Sequence, residues 1–383
     1  MELAVSPEDD AFRAELRAWL ETNAPPPTPT EVGAGLRARD LAWQRALHDA
    51  GYAGISWPRE YGGRGLSLTQ QMIWYEETAR AGISHVNSLF VGLSHAGPTI
   101  IACGTDEQKA RWLPPILRGE AIWCQGFSEP GAGSDLAALQ TRAERDGDHL
   151  VLNGVKIWTS YAQVADFQEM LVRTNSDGPK HQGITWLVCD MRQPGIEIRP
   201  VRTLVRESHF CEVHYHDVRV PLANVVGDVD DGWRVARATL AYEHGIANLG
   251  QQVRLAETVE RIVTLARERD VDSPIESDLW ARIADARADV AALRAMTYTM
   301  ISRVARESVP GPEGSLVKLQ YGDVSQRVHA LGLEVMGVEA LHFVPDDHAL
   351  SYGYLASLAA TIGGGTSEIQ RTIVAERLLG LPR

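Results

Sequence analysis

The sequence predicts an α+β chain of three successive domains: a helical one over residues 1–119, an antiparallel, barrel-like β-domain over 120–226 and a second helical one over 227–383. Three observations carry this. The hydrophobic period is helical at both ends of the chain and alternates over short runs in the middle. Turn punctuation bounds those middle runs, at Asp146-Gly147-Asp148, Asn153-Gly154 and Pro194-Gly195. The 383 residues also exceed what one core of about 150 residues holds. Helices, then strands, then helices give layers that bury one another.

Taken in order, an amphipathic stretch around Asp10 to Leu20 opens the chain, followed by one from Leu36 to Ala50 and more from Leu68 to Cys103. Thr105-Asp-Glu-Gln108 reads as a capping box whose helix should end near Pro114-Pro115. The strand runs are Leu150–Leu152, Lys156–Thr159, Gly183–Val188, Ile196–Ile198 and Phe210–Tyr215. From Gly232 long amphipathic helices run to the end, broken near Pro274, at Pro310-Gly-Pro312 and at Gly363-Gly-Gly365.

Composition narrows the function. A net charge of −13, from 37 basic and 50 acidic residues, disfavours nonspecific binding to nucleic acid or anionic membrane. A small anionic ligand such as a nucleotide or a CoA ester needs only a local cluster of donors and stays open. No apolar run is long enough for a membrane span, and the acidic start MELAVSPEDD lacks a secretory pattern, so the chain reads as cytoplasmic. Four scattered cysteines, without CxxC spacing, give neither a disulfide scaffold nor a zinc framework.

Three features could carry chemistry. Gly126-Phe-Ser-Glu-Pro-Gly-Ala-Gly-Ser-Asp135 has small residues that admit a ligand to the backbone, with hydroxyls from Ser128 and Ser134; an ordinary loop entering the sheet would read the same. It lacks the spacing of a dinucleotide fingerprint. Gly363-Gly-Gly-Thr-Ser-Glu-Ile-Gln370 is a flexible turn entering a helix, with Ser367 and Gln370 as a capping box, and suits a phosphate or a polar cofactor edge as well as a plain turn. Glu243 is the most informative. At helical spacing its neighbours are Thr239, Leu240, Ile246 and Ala247, none of them basic. Such a carboxylate either meets a distant cation or solvent, or has its pKa raised by desolvation as a general base requires. Cys211, His214, His216 and Asp217 resemble metal ligands until strand alternation puts Cys211 and His214 on opposite faces, so no metal is expected. Trp158 is either sheet core or a platform for an aromatic ring.

Taken together these residues resemble the acyl-CoA dehydrogenase family along the whole chain. Phe127-Ser-Glu-Pro-Gly-Ala-Gly-Ser-Asp135 is similar to the family's first signature, Asp148-His-Leu-Val-Leu-Asn-Gly-Val-Lys-Ile-Trp158 to the strands behind the flavin, Asp217-Val-Arg-Val-Pro221 to the exit from the β-domain, and Ile362 to Arg377 to the C-terminal helix with its glycine turn. The resemblance implies a C-terminal four-helix bundle and FAD as cofactor. It places Phe127, Ser128, Gly133 and Ser134 along the isoalloxazine and the CoA thioester arm, Trp158 and Ser160 behind the flavin ring, and Thr366 and Glu368 at cofactor contacts. Many members carry the catalytic Glu where this chain has Gly364; a smaller class supplies it from the position of Glu243. Glu243 would then deprotonate an acyl-CoA beside the thioester, the Gly364 N–H would steady the enolate oxygen, and electrons would pass to an electron-transfer flavoprotein. An oxidase or flavin monooxygenase on the same fold, or a supporting subunit, are the alternatives.

Two motifs depart from the family. In typical homotetramers a neighbouring subunit grips FAD with an Arg-x-Thr-Phe-Gly run and a Gln-x-x-Gly-Gly-x-Gly motif. Here Arg269 is followed by Asp270, Val271, Asp272 and Ser273, and the second motif reads Glu334-Val-Met-Gly337-Val338-Glu339-Ala340. Valine blocks close backbone approach and added carboxylates repel a diphosphate. A dimer or tetramer is implied, and these departures point to a heterotetramer with a related subunit. His244 stands where an Arg is common beside the base.

Overall fold

A computed structural model of the protein describes residues 5–26, 32–84, 87–243, 249–269, 274–307, 311–346 and 348–382. The described helices are α1 (Pro7–Asn23), α2 (Ala34–Asp49), α3 (Leu68–Arg80), α4 (Gly97–Cys103), α5 (Asp106–Leu117), α6 (Gly232–Glu243), α7 (Leu249–Glu268), α8 (Pro274–Glu307), α9 (Glu313–Met336), α10 (Leu350–Ser357) and α11 (Ser367–Ile373). They fall into two compact units, one of residues 1–30, 67–85 and 244–383, the other of 31–66 and 86–243. This grouping cuts across the divisions at 119/120 and 226/227, because α1 and α3 join the C-terminal helices whereas α2, α4, α5 and α6 join the strands.

In the first unit, α1 starts at a capping box in which Ser6 Oγ accepts from Asp9 N and Asp9 accepts from Ser6 N. Phe12, Leu16 and Leu20, spaced by four, form its buried stripe. Helices α7, α8, α9 and α10 enclose a core that includes Val259, Ile262, Val290, Val328 and Leu350, which is the expected four-helix bundle. Glu76 on α3 is buried and takes bonds from Arg13 of α1 and from Arg294 and Tyr298 of α8. Its neighbour Glu77 takes Arg13, Arg17 and Arg80. Burial is tolerable for these carboxylates because each has several cationic donors.

Two helical expectations change in detail. The stretch Leu68 to Cys103 is not continuous: α3 ends at Arg80, where Gly82 adopts φ +76°, and the chain re-enters through a π-turn at Gly92–Ala96 before α4. Helix α5 does not stop at Pro114-Pro115 but continues to Leu117. Each proline withdraws its N–H from the ladder and crowds the preceding turn, yet the helix runs on. The carbonyls of Pro114 and Pro115 still accept from Arg118 and Glu120, and Leu113, Ile116 and Leu117 are anchored in the core.

The second unit is built on seven strands: β1 (Trp123–Gly126), β2 (Arg142–Asp146), β3 (His149–Ser160), β4 (Phe167–Arg173), β5 (Ile184–Asp190), β6 (Ile196–Val201) and β7 (Phe210–Pro221). Their order is β1-β4-β2-β3-β7-β6, with β5 on β4. Most ladders are antiparallel as expected, but β1 runs parallel to β4, and β2 meets β4 in parallel at one pair. Strands β1 and β4 escape the period-2 signal because they are buried almost continuously, on both faces.

Asn153-Gly154 is not a turn. It lies inside β3, which joins two runs expected to be separate strands. Along the β3–β7 ladder, β7 gains one residue between the pairs Leu152↔Val218 and Gly154↔Tyr215, and β3 gains one between Lys156↔Val213 and Thr159↔Cys211. The second bulge restores the register that the first shifts. Asn153 and Asp217 clasp the first: Nδ2 donates to Asp217 Oδ1 at 3.0 Å and Asp217 N donates to Asn153 Oδ1 at 3.1 Å. Gly154 is required there, since a Cβ would lie 2.7 Å from the Thr141 Cα.

Candidate functional site

The loop after β1 is tied down by a buried charge. On β3, Leu150, Leu152 and Lys156 share the inward parity, so the Lys156 side chain enters the interior and is fully buried. Its Nζ donates to Glu129 Oε1 at 2.8 Å and to Phe127 O at 3.1 Å. Glu129 also accepts from Gln140 N at 2.6 Å and Thr141 N at 2.8 Å. Burial lowers the Lys156 pKa to about 8 despite the opposing pull of Glu129. Burial raises the Glu129 carboxyl, but the Lys156 charge and these donors outweigh it and hold it below its ordinary value. Glu129 and Ala132 bond each other's main chain and close the Pro130-Gly131 turn.

The nominated residues of this loop divide by exposure. The Phe127 side chain is packed in the core, so what it offers at the surface is main chain. Ser128 is half-buried, while Gly133 and Ser134 are exposed. A Cβ at Gly131 or Gly133 would meet nothing within 4 Å, which leaves room for a ligand to approach the backbone.

The second bulge aims Trp158. This residue has φ +60°, a conformation a bulky side chain adopts only when its surroundings enforce it, and its indole is 55% exposed. Thr159, the next residue, is buried again. The indole meets Phe210 edge-on with centroids 5.9 Å apart, and Phe210 packs on His209 at 4.2 Å. The Trp158 indole therefore lies outside the sheet core. Ser160 closes β3, half-buried opposite Phe210. An outward indole beside an open glycine loop fits a planar heteroaromatic group such as a flavin.

In the other unit, the cap of α11 is Thr366 rather than Ser367: its Oγ1 accepts from Ile369 N at 3.4 Å, and Ser367 is the first helical residue. Gln370 Nε2 instead donates to Gly364 O at 2.9 Å, and Lys318 Nζ donates to Gly365 O at 2.6 Å. Drawing these carbonyls inward turns the N–H groups of Gly365 and Thr366 the opposite way, because the peptide is trans. Gly364 and Gly365 have φ of +64° and +87°, open to glycine at low cost. Glu368 is exposed on the first turn, its carboxyl lowered by the backbone N–H it accepts and by Thr366.

Glu243 is the last residue of α6, one turn beyond Thr239. Helix α6 is anchored by buried Val235 and Ala236 and by a 2.9 Å bond from Thr99 to Thr239. The Glu243 side chain and residues His244, Ile246 and Ala247 lie outside the described residues, as do Asp270, Val271, Asp272 and Ser273. Arg269 donates to Val335 O at 2.6 Å and pairs with Glu339, while Glu334 pairs with Arg282. Cys211 Sγ approaches Gln163, and His214 pairs with Glu212. A cleft of about 460 Å³ lined by His48, Glu60, Asp106, Lys109 and Arg118 includes none of the nominated residues, and its mixed charges favour no anion. No helix among the described residues is long and apolar enough to cross a membrane.

The Lys156–Glu129 pair is not among the motif residues, although a lysine at a core-facing position of an alternating strand demands an acid. Nor is Gln125, which donates to buried Glu169 at 2.9 Å and lies 3.2 Å from His95 of the π-turn.

Comparison with known proteins accounts for this arrangement across the chain. Residues 6–120 match the N-terminal domain of acyl-CoA dehydrogenases, 124–218 the middle domain and 230–379 the C-terminal domain. The chain is 39% identical to acyl-CoA dehydrogenase IpdE1 of Mycobacterium tuberculosis, with 98% of each chain covered. It is 34% identical to acyl-CoA dehydrogenase FadE26 of the same organism, covering 100% of this chain and 99% of the relative. Among solved structures, the Tcur3481-Tcur3483 steroid ACAD superposes with a TM-score of 0.87 at 30% identity, and the ChsE4-ChsE5 complex of Mycobacterium tuberculosis with 0.85 at 31%, each over 100% of both chains. With all three domains matched in order, the chain belongs to the acyl-CoA dehydrogenase family of FAD-dependent oxidoreductases.

Proposed function

We propose that this chain oxidises an acyl-CoA thioester to the trans-2-enoyl-CoA, with Glu243 as the base, and delivers the electrons to an electron-transfer flavoprotein. The observation that carries the assignment is the exchange of residues: glycine at 364, where many members hold the carboxylate, and a carboxylate ending α6 at 243. Bound FAD supplies the acceptor for the hydride leaving the β-carbon. Glu243 takes the proton from the carbon beside the thioester, so the electrons of that C–H bond become the new double bond. An N–H from the Gly364 turn donates to the thioester oxygen as negative charge gathers there. Trp158, Ser160, Ser128 and the Gly133-Ser134 loop would hold the flavin ring, with Thr366 and Glu368 as further cofactor contacts. Glu243→Gln is expected to abolish anaerobic flavin bleaching by an acyl-CoA while substrate binding persists; unaltered bleaching would remove Glu243 from the mechanism.

The steroid ACAD among the similar structures supports a bulky, ring-bearing acyl group as substrate, and an anaerobic bleaching screen of steroid-derived against straight-chain acyl-CoA esters tests this. The two similar complexes also support assembly with a related but different subunit. So does Arg269: the side chain that in typical homotetramers reaches a neighbour's FAD diphosphate is here clasped by Glu339, one of two acidic residues in the altered motif. Val338 and Leu341 beside it are exposed, at 80% and 86%. The chain purified alone should therefore lack stoichiometric flavin absorbance, and a full flavin complement would argue for a homo-oligomer.

A further inference from the structure

We propose that Lys156 is a positioning residue for the flavin: locked to Glu129, it sets the plane of the Phe127–Ser128 peptide so that the Ser128 N–H is presented to the cofactor. The proposal rests on the assignment of Phe127, Ser128 and Trp158 to the flavin wall.

In extended chain successive carbonyls point in opposite directions. Here two successive ones face β3: Phe127 O accepts from Lys156 Nζ at 3.1 Å and Ser128 O accepts from Ile157 N at 2.9 Å. In a trans peptide the N–H points opposite to the C=O of the preceding residue, so the N–H groups of Ser128 and Glu129 are both turned away from β3. Glu129 N is used by Ala132 O at 3.1 Å. Ser128 N has no acceptor among the described residues. It is the main-chain donor that this kink leaves for a ligand, on a loop where Gly131 and Gly133 keep the approach open.

The second carbonyl of the kink is held by main chain, whereas the first is held by an ammonium alone. Removing that ammonium leaves the Phe127–Ser128 peptide free to rotate and carry the Ser128 N–H out of line. Glu129 prevents the lysine from withdrawing, since its carboxylate is fixed by Gln140 N and Thr141 N and the pair is buried. The ammonium also polarises the peptide it binds, which strengthens the opposite N–H as a donor.

The test uses the flavin-loaded protein, with its partner subunit if it requires one, and reads FAD affinity by reconstitution of the apoprotein and the visible spectrum of bound flavin. Lys156→Met/Glu129→Gln removes both charges and leaves no lone buried ion. It is expected to weaken FAD binding by about tenfold, the loss of one good hydrogen bond, and to shift the flavin bands. Trp158→Leu, which changes the wall without touching the pair, should also shift them. Lys156→Gln keeps a donor for Phe127 O and should retain more affinity than Lys156→Met, a distinction that survives if the double variant fails to fold. Unchanged affinity and spectrum in the double variant, with Trp158→Leu altering both, would overturn the role of Lys156 and leave the wall assignment standing. No change in either variant would overturn the wall assignment and the proposal together.

Discussion

Gly97→Ala tests how tightly the second unit is packed around Trp57. A Cβ on Gly97 would lie 1.9 Å from Trp57 Cζ2 and 2.4 Å from Cη2, where ordinary contact needs nearly twice the shorter distance. The indole cannot give way freely. It is 2% exposed, its Nε1 donates to Leu93 O at 2.9 Å, and Cβ atoms at Gly54 or Gly63 would also collide with or press on this residue. Overpacking costs about 1–3 kcal/mol, and loss of the indole bond leaves Leu93 O unpaired for about 1–3 kcal/mol more. The sum, about 2–6 kcal/mol, corresponds to a fall of roughly 5–15 °C in the melting transition. Thermal unfolding by circular dichroism reads this directly. Because Cζ2 and Cη2 belong to the outer ring that phenylalanine lacks, Trp57→Phe should recover part of the loss in the double variant. A melting point within about 2 °C of wild type, or a double variant no better than the sum of the singles, would refute the packing argument.

Other expectations follow from single contacts. Burial raises the Glu77 carboxyl, but bonds from Arg17 and Arg13 and the charge of Arg80 outweigh it and leave the pKa below 4.5. A depressed carboxyl pKa contributes stability above the unfolded value and loses it as pH falls through the folded one. Glu77→Gln should therefore flatten the decline of stability below pH 4.5 seen in urea titrations, and cost about 1–3 kcal/mol at pH 7; an unchanged acid limb would count against it. Gly154→Ala places a methyl 2.7 Å from Thr141 Cα and Oγ1 and should destabilise by about 1–3 kcal/mol in denaturant unfolding, with no effect ruling out the tight approach of β3 to residue 141.

What could be read from sequence followed from how periodic each segment is. Helix α1 and the stretches of the β3–β7 ladder away from its two bulges alternate between buried and exposed positions, which makes them legible. Strands β1 and β4 were not, since Cys124, Met170, Leu171 and Val172 are buried irrespective of parity. The Asn153-Gly154 dipeptide has turn chemistry, yet a partner strand with its own extra residue absorbs it as a bulge. Residues of the candidate site were legible as motifs, but their division of labour was not. Whether Phe127 offers a ring or main chain depends on Trp123, Leu139 and their neighbours, which sequence spacing does not bring together.

The two offsets in the long β3–β7 ladder behave like paired frameshifts. Between Leu152 and Thr159 the pairing runs one residue out of step, and outside that window the original offset returns, with Leu152 and Val218 buried before it and Thr159 and Cys211 buried after it. Deleting Trp158 alone would leave buried Lys156, half-buried Ile157 and buried Thr159 in regular alternation, so removing either extra residue closes its own bulge without inverting the faces beyond it and forfeits only what that bulge presents, here the outward indole. Each bulge is thus a self-contained cassette, and the ribbon beyond it is spared any consequence of its presence.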